Sequence, residues 1–297
     1  FEIDSIEQLP REVFGPVVHL IRYRAADLEH LPRRINAAGY GLTFGIHSRI
    51  QASIDLLARE IAAGNVYVNR NMIGAVVGVQ PFGGEGLSGT GPKAGGPLYL
   101  LRLLAQRPPQ AARLAVAHSG TPAAPPVRGL GLQTAAAEEA AAAHAALRAW
   151  ALQQGLAVLA ARCDQAAAES PVGHWQALPG PTGEANLYAV LPREAVLCLA
   201  DDDADRLAQL AAVLAVGSHA VWPAQARALR ERLPPIVRER IRIAQDWQEP
   251  STPFDAALQH GTAQALRDTL AVLAARPGPL VALTGLACGD GAVPIER

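Results

Sequence analysis

The segment that most constrains the fold of this chain is a nearly uncharged, glycine-dense stretch at residues 74–91, with the sequence GAVVGVQPFGGEGLSGTG. It holds seven glycines in eighteen positions and follows closely on the apolar run NVYVN at residues 65–69. Glycine costs conformational entropy wherever its freedom is not needed, so this density indicates backbone that turns tightly or approaches a ligand closely. The stretch is therefore the first candidate for a functional loop.

Part of this stretch also satisfies the pattern GxGxxG of dinucleotide-binding folds. The matching glycines are Gly84, Gly86 and Gly89. A true fingerprint has a strand just before it, a helix just after it and an acidic residue about 20 residues further on. Here the strand-like run ends near Asn69, the prolines of residues 92–97 follow, and residues 107–110 supply no carboxylate. We therefore interpret the stretch as an active-site loop and not as a Rossmann fingerprint.

Composition limits the class of protein. The 297 residues are enough for two domains, and a formal net charge of −1 leaves no electrostatic footprint for nucleic acid. No apolar run reaches the length that spans a bilayer. The three cysteines are odd in number and widely spaced, which favours a reducing compartment, so we expect a cytoplasmic protein without a nucleic-acid site or a transmembrane segment.

Residues 1–107 alternate between strand and helix patterns. Strands are predicted at residues 17–21, 42–47 and 66–68, and helices at residues 27–35 and 49–63, capped by Asp27 and Ser48 respectively. In the longer helix Ile50, Ile54, Leu57 and Ile61 fall on one face. Strand–helix repeats with short turns predict a parallel α/β sheet.

A proline-rich linker is predicted at residues 108–130, and it divides the chain into domains at residues 1–107 and 131–297. The second domain again alternates strand and helix. Its predicted helices are residues 134–154, 204–216, 224–233 and 262–275, and its predicted strands are residues 196–199, 220–222 and 280–283. Asp201, Asp202 and Asp203 are expected to charge the first turn of a helix, where the dipole favours acids.

Two motifs relate the first domain to a known family. They are ExFGP at residues 12–16 and QPFGG at residues 80–84. With them, residues 1–107 resemble the C-terminal catalytic part of an aldehyde dehydrogenase. The string IGAVVGVQPFGG at residues 73–84 resembles the branch of the family that oxidises L-glutamate γ-semialdehyde. This aldehyde is in equilibrium with Δ1-pyrroline-5-carboxylate. The branch is found in the bifunctional proline utilisation A family.

The second domain is less closely similar to the same family. LPGPTGEANLYAVLPREAVLC at residues 178–198 and FDAALQHG at residues 254–261 resemble the extra C-terminal domain of its longer members. The resemblance implies an α/β fold in which the C-terminal part of an aldehyde dehydrogenase catalytic domain precedes a second, degenerate aldehyde-dehydrogenase-like domain without catalytic residues.

The resemblance also implies a site for NAD. Glu12 would accept hydrogen bonds from the nicotinamide ribose hydroxyls, and Phe14 would pack beside the nicotinamide. A carboxylate suits a diol because it accepts two hydrogen bonds and donates none. If the family resemblance is set aside, the residues alone predict a solvated carboxylate at a turn for Glu12 and a core aromatic for Phe14.

The substrate-binding residues implied by the resemblance lie in and beside the glycine-rich stretch. Gly74 and Ala75 begin the loop whose N–H groups would anchor the α-carboxylate, as consecutive amides aimed at one point form an anion-binding nest. Phe82 would line the aldehyde pocket. The alternative interpretation is that Phe82 is an aromatic residue of the loop that packs against the core. Asn69 receives a supporting role, or simply caps the loop.

No catalytic residue is assigned to this chain. Aldehyde oxidation needs a thiolate nucleophile and a carboxylate that activates water. In the family both precede the ExFGP motif. Cys163, Cys198 and Cys288 lie beyond the linker and are interpreted as buried small hydrophobes. We therefore expect a fragment of a larger protein that is inactive alone, and no metal site, because its histidines form no ligand motif.

The expected parent is an NAD-dependent dehydrogenase that converts glutamate γ-semialdehyde to glutamate in the second step of proline catabolism. Its expected partners are the upstream domains of the same polypeptide, including a flavin-dependent proline dehydrogenase with FAD. Two alternatives stay open: a monofunctional aldehyde dehydrogenase with another substrate, and a non-catalytic scaffold or lid. The oligomeric state and an N-terminal DNA-binding segment of the parent are also open.

Overall fold

The computed structural model describes residues 1–89, 91–104, 108, 110–117, 135–172 and 175–295. Two compact units divide these residues: the first is built mainly from Phe1–Gly96 and the second mainly from Leu132–Pro277 and Val281–Arg297. Both combine helices with parallel strands, so the predicted α/β class is confirmed. Within the described residues, no helix is both long enough and apolar enough to cross a membrane.

The first unit is centred on a strand–helix–strand repeat. Its elements are the strands β1 (Tyr40–Gly41), β2 (Thr43–Ile46), β3 (Asn65–Val68) and β4 (Glu85–Gly86), the helices α1 (Leu31–Ala37) and α2 (Gln51–Glu60), and two 3-10 helices, Ile6–Gln8 and Ala25–His30. Strands β2 and β3 pair in parallel, and Ile46 packs with Ile54 and Leu57 of α2. Strand β1 pairs antiparallel with β4, which lies inside the glycine-rich stretch.

Three local predictions for this unit are wrong. Residues 17–21 form one bridge, Glu2 to Leu20, and not a strand, since Val18 is 75% exposed and no core in this unit covers the run. The segment from Asp27 begins inside a 3-10 helix and becomes α-helical only at Leu31. Ser48 does not cap α2; its hydroxyl accepts from the Ile50 amide at 3.1 Å, and the helix begins at Gln51.

The second unit is built around a parallel sheet. Its helices are α3 (Ala111–Ala117), α4 (Ala135–Gln153), α5 (Ala157–Glu169), α6 (Asp203–Ala215), α7 (Arg227–Glu231), α8 (Pro235–Arg238) and α9 (Ala263–Ala275), with 3-10 helices Leu100–Arg102 and Ala224–Ala226. Its strands are β5 (Trp175–Leu178), β6 (Asn186–Ala189), β7 (Ala195–Leu199), β8 (His219–Pro223), β9 (Ile241–Ala244), β10 (Ala256–His260) and β11 (Ala282–Leu286).

Strand order in the described sheet is β11-β10-β7-β8-β9, with every neighbouring pair parallel. All five residues of β7 are buried, as expected for a central strand covered on both faces. Helix α6 begins at Asp203, and the carboxylate of the N-cap residue Asp202 accepts from the Asp205 amide at 2.9 Å. Asp203 lies in the first turn, so the acidic run charges that turn as predicted. Thr262 caps α9 in the same way, accepting from the Ala265 amide at 3.2 Å.

Two parts of the second region differ from expectation. Residues 111–117 of the predicted linker form α3, because Ala112 and Val116 pack with Tyr188 in a small apolar cluster. The rest of that linker from residue 118 to residue 130, and the predicted cap Thr134, lie outside the described residues. Helix α5, the antiparallel hairpin β5–β6 and strands β9 and β10 were not predicted, and the last strand begins at Ala282, two residues later than expected.

The core of the second unit yields a stability prediction. Leu210 of α6 is fully buried, whereas Leu270 of α9 is 49% exposed. Leu210→Ala should lower the free energy of unfolding by about 2–5 kcal/mol, since it loses burial and leaves a cavity. The matched change Leu270→Ala should cost about 0.5 kcal/mol or less. Urea unfolding followed by circular dichroism measures both, and equal losses would contradict the assignment of α6 to the core.

Candidate substrate and nucleotide site

The backbone at Gly74 and Ala75 is open to a ligand. A Cβ placed on Gly74 would meet no atom within 4 Å, and both residues are partly exposed. The neighbouring amides are occupied: Ile73 N donates to Asn71 Oδ1 at 3.4 Å, and Val76 N donates to Gln80 Oε1 at 3.0 Å. Neither the Gly74 nor the Ala75 amide donates to another described residue. Two successive free N–H groups are therefore available to an acceptor.

The backbone around Phe82 is held from two sides. Phe82 and Ala94 exchange two backbone hydrogen bonds, at 3.0 and 2.9 Å. On the other side, Asn65 at the start of β3 donates from Nδ2 to the Pro81 carbonyl at 2.9 Å and accepts at Oδ1 from the Gly83 amide at 3.3 Å. Phe82 is thus placed between the residues that Asn65 holds, and its side chain is partly exposed.

Lys93 adds a charged group to this arrangement. Its Nζ donates to the carbonyl oxygens of Gly64 and Gly83, the latter at 2.7 Å, and lies 3.4 Å from Asn65 Oδ1. Burial lowers the pKa of Lys93, and the nearby charge of Glu85 partly opposes this. The lysine therefore ties the glycine-rich stretch to the residues that lead into β3.

Asn69 supports the end of β3. It has a left-handed backbone conformation (φ 54°), which asparagine tolerates better than most residues. Its side chain brackets Ser48, accepting from the Ser48 amide and donating to the Ser48 carbonyl, both at 3.0 Å. Asn69 therefore joins the end of β3 to the segment that leads from β2 into α2.

Glu12 and Phe14 lie at the surface of the first unit in irregular backbone. Phe14 is 88% exposed, so it is not a core aromatic of this unit. Gly15 has a φ of 127°, and the Val17 amide donates to its carbonyl at 2.8 Å, which makes the Phe14–Val17 segment a tight turn. Both side chains are accessible, and their roles toward NAD stay predictions.

The GxGxxG-like glycines have a packing role. Gly86 lies in β4 with a φ of 58°. A Cβ added to Gly86 would collide with the carbonyl of Gly39, which directly precedes β1. A Cβ on Gly89 would collide in the same way with the carbonyl of Gly84. These contacts require glycine for close backbone approach within the unit, and they agree with the rejection of a dinucleotide fingerprint.

A cavity of about 500 Å³ lies on the first unit away from these residues. Its lining includes Arg22, Arg24 and Arg34, each of which is paired with a carboxylate. Their partners are Glu2, Asp27 and Glu7 respectively, and Arg34 lowers the pKa of Glu7 to about 2. Since the arginines are already neutralised, we do not assign this cavity an anionic ligand.

In the second unit, the position that usually binds ligands is filled by protein. From β7 the chain adds β8 and β9 on one side and then β10 and β11 on the other, so the strand order reverses between β7 and β10. Open α/β sheets bind ligands at the carboxyl ends of the two strands where this reversal occurs. There, the buried Asp205 carboxylate accepts from the Gly289 amide at 3.0 Å. Gln209 Nε2 donates to His260 Nδ1 at 2.9 Å, and His260 Nε2 donates to the Asp290 carbonyl at 2.7 Å. This buried network connects α6, β10 and the segment after β11.

The cysteines differ in environment. Cys163 and Cys198 are fully buried, as predicted, and burial raises their pKa to about 11 and about 12. Cys288 is exposed, so its prediction as a buried residue is wrong. It lies in the turn that follows β11, beside Gly289 with φ 79°, where no apolar layer covers it. Within the described ranges, no group of three or more His, Cys, Asp or Glu side chains is placed to hold a metal ion.

Comparison with known proteins confirms the class of the first region. Residues 4–107 match the aldehyde dehydrogenase family, which is the family that the ExFGP and QPFGG motifs indicate. The 1-pyrroline-5-carboxylate dehydrogenase of Geobacillus thermodenitrificans is 45% identical over 93 residues, which are 31% of this chain and 18% of that protein.

Over its whole length the chain is similar to bifunctional proteins. The bifunctional protein PutA of Escherichia coli K12 is 49% identical over 298 aligned positions, covering 100% of this chain and 22% of that protein. The Rhizobium meliloti bifunctional protein PutA is 42% identical and covers 97% of the chain. The chain thus spans about a fifth of the length of these relatives. A solved mutant of Bradyrhizobium japonicum proline utilization A is 63% identical over 34% of this chain and 10% of its own, with a TM-score of 0.34.

Sequence reasoning missed Asn65 and Lys93. Asn65 looked like one residue of an apolar strand run, and Lys93 followed a glycine- and proline-rich stretch that pointed to a loop. One signal was available: Lys93 is the only lysine among 26 lysine and arginine residues. Lysine differs from arginine in presenting a compact ammonium group with three donors, which suits the converging acceptors found around it.

The cysteine environments lead to a reactivity prediction. In the folded chain at neutral pH, a thiol reagent such as DTNB should modify Cys288 quickly and leave Cys163 and Cys198 unmodified, because buried thiols with raised pKa values are neither accessible nor ionised. Denaturant should expose all three. Rapid native modification of Cys163 or Cys198, located by mass spectrometry, would contradict the burial of α5 or β7.

Proposed function

We propose that this chain forms part of an NAD-dependent dehydrogenase that oxidises L-glutamate γ-semialdehyde to glutamate. The observation that carries the proposal is the pair of free amides at Gly74 and Ala75, between the amides of Ile73 and Val76, which are each satisfied by a side-chain oxygen. Unpaired, exposed N–H groups beside each other favour a carboxylate. Glutamate γ-semialdehyde has an α-carboxylate at the opposite end from its aldehyde.

The similarity to named proteins supports the same substrate. A relative called 1-pyrroline-5-carboxylate dehydrogenase aligns with nearly a third of the chain, and bifunctional PutA proteins align with essentially all of it. Whole-chain similarity to the bifunctional proteins favours them over a monofunctional aldehyde dehydrogenase with another substrate. By the same resemblance, we infer that the complete polypeptide also contains a flavin-dependent proline dehydrogenase that uses FAD.

In the proposed reaction, the aldehyde, NAD⁺ and water give the carboxylate, NADH and two protons. NAD, when bound, supplies the hydride acceptor. Gly74 and Ala75 donate hydrogen bonds to the α-carboxylate, and Phe82 contacts the carbon chain between the two ends of the substrate. Glu12 accepts from the ribose hydroxyls, and Phe14 packs beside the nicotinamide. These groups bind and orient; the thiolate and the base are not assigned to this chain, as Cys163 and Cys198 are buried and Cys288 belongs to the second unit.

Exposed apolar residues of the first unit support a partner within the same polypeptide. Phe14, Val18, Ile73 and Val77 are 88, 75, 91 and 98% exposed. Ile73 and Val77 lie in one loop, and apolar side chains exposed together favour contact with another protein surface. The upstream domains of the complete protein are the partner that we propose for them. The free, widely spaced cysteines favour a cytoplasmic location for the whole.

A non-catalytic role is proposed for the second unit. Its fold offers the usual ligand position of a parallel α/β sheet, but the network of Asp205, Gln209 and His260 fills that position with buried protein groups. We infer that this unit stabilises or covers another part of the complete protein and binds no nucleotide of its own. If the complete protein bound two equivalents of NAD, with one lost on changing His260 to alanine, this assignment would be wrong.

The direct test of the proposed function is turnover by the complete polypeptide. Purified protein is supplied with NAD and Δ1-pyrroline-5-carboxylate, which is in equilibrium with the semialdehyde, and NADH absorbance is followed. We expect kcat/KM for this substrate to exceed that for hexanal by at least about tenfold, since a hydrogen bond to a charged group contributes about 1.5–3 kcal/mol. A preference for hexanal would refute the substrate assignment.

Gly74 provides a sharper prediction, because the open space around it allows a side chain without disturbing the fold. In the complete protein, Gly74→Leu should lower kcat/KM for glutamate γ-semialdehyde at least about tenfold by blocking the approach of the carboxylate. It should affect hexanal much less. The control Ala52→Leu adds bulk at an exposed position of α2 and should leave kcat/KM for both substrates unchanged. Equal losses for both aldehydes in Gly74→Leu would mean that the loop is merely structural.

Glu12 provides a separate prediction for the cofactor. Glu12→Ala should lower kcat more than it changes the aldehyde KM, because a poorly held ribose misplaces the nicotinamide during hydride transfer. Glu29→Ala, at another exposed position of the same unit, is the control. Stopped-flow NADH formation measures the hydride-transfer step. An unchanged kcat with a raised aldehyde KM would show that Glu12 has a different role.

A further inference from the structure

Besides its backbone pairing with Ala94, Phe82 is held by two side chains from outside the glycine-rich stretch at residues 74–91. Asn65 holds the peptide groups immediately before and after it, through Pro81 and Gly83. Lys93 holds the Gly83 carbonyl at 2.7 Å and the Gly64 carbonyl at the same time. We call these two side chains the Asn65–Lys93 clamp. It connects the backbone of Phe82 to the start of β3 and leaves the aromatic side chain partly exposed.

The clamp depends on close backbone approach. Any Cβ on Gly64 would collide with the Gly83 carbonyl and would lie 2.7 Å from Lys93 Nζ. A Cβ on Gly83 would lie 3.2 Å from the Lys93 Cα. Glycine at both positions therefore lets the two carbonyls converge on a single ammonium group.

Stability alone does not explain the ammonium group of Lys93, because burying its charge costs free energy. Its hydrogen-bond acceptors are two backbone carbonyls and an amide oxygen, so no carboxylate among them compensates the partly buried charge. The nearby charge of Glu85 offsets the cost of burying this charge only in part, and a structural contact could use a neutral donor. Lysine also has three donors on a compact group, which suits three converging acceptors better than a planar guanidinium. This explains why the chain's single lysine stands here.

We propose that Asn65 and Lys93 are positioning residues for Phe82 and so determine how tightly the carbon chain of the aldehyde is held. The inference rests on the proposed function, in which Phe82 contacts the substrate between its aldehyde and its carboxylate. Because Phe82 contacts the carbon chain and not the carboxylate, the clamp acts on charged and uncharged aldehydes alike. This separates its role from that of Gly74 and Ala75.

The test uses the complete polypeptide with Lys93→Met, which keeps most of the side-chain length and removes the donors. We expect the KM for glutamate γ-semialdehyde and the KM for hexanal each to rise by about tenfold, since small misplacements of binding groups cost one to two orders of magnitude. The Kd for NAD should stay within about twofold, because Glu12 and Phe14 lie in a different segment. Arg59→Met, which removes an exposed cation of α2 paired with Glu60, is the matched control and should change none of these values.

Two results would overturn the inference. One is an unchanged KM for both aldehydes in Lys93→Met. The other is a parallel rise in KM and in the Kd for NAD with a lower Tm, which would show general loosening instead of local positioning. If Lys93→Met does not fold, Asn65→Leu removes the bonds to Pro81 and Gly83 at similar volume and must give the same KM pattern. Failure of both variants to fold would assign the clamp to the fold and refute its positioning role.

The wild-type protein separates this inference from the proposed function. Turnover of hexanal without turnover of glutamate γ-semialdehyde would refute the substrate assignment alone. The Lys93→Met comparison would then still test the clamp through the KM for hexanal.

Discussion

Close approach of two backbone segments, at Gly64 and Gly83, is the constraint on which the proposed site depends. It places the glycine-rich stretch against the start of β3 and lets one ammonium group bind carbonyls from both. The parallel pairing of β2 with β3 fixes the other end, where Asn69 brackets Ser48. The open loop at Gly74 and the aromatic at Phe82 therefore belong to a segment that is anchored at both ends although it has almost no regular structure.

The sequence predicted elements best where local propensity and packing agree. The alanine-rich α4, the capped helices α6 and α9 and the strand β7 were predicted within one or two residues, because apolar periodicity and capping residues mark them directly. The run at residues 17–21 has strong β propensity but lacks a covering layer within its unit, so propensity alone misled. Strands β9 and β10 were missed because a short apolar run has no periodicity that separates a buried strand from a buried helix segment.

The candidate site was predictable only in part. ExFGP and QPFGG predicted the family, which is confirmed for residues 4–107, whereas the cofactor- and substrate-binding residues that this resemblance implies stay predictions. The side chains that hold those residues in place could not be identified in this way. Asn65 and Lys93 are 28 residues apart, and their convergence on Gly83 depends on the path of the intervening loop. In the second unit, the contact between Asp205 and Gly289 spans 84 residues and is equally invisible to local patterns.

We propose above that the amides of Gly74 and Ala75 bind the α-carboxylate of the substrate. A crystal structure of the complete polypeptide with NAD and glutamate, the proposed product, tests it most directly. We expect the α-carboxylate to accept hydrogen bonds from both amides at about 2.9 Å, and Glu12 to accept from the nicotinamide ribose. An α-carboxylate bound elsewhere, with these two amides satisfied by protein groups, would contradict it.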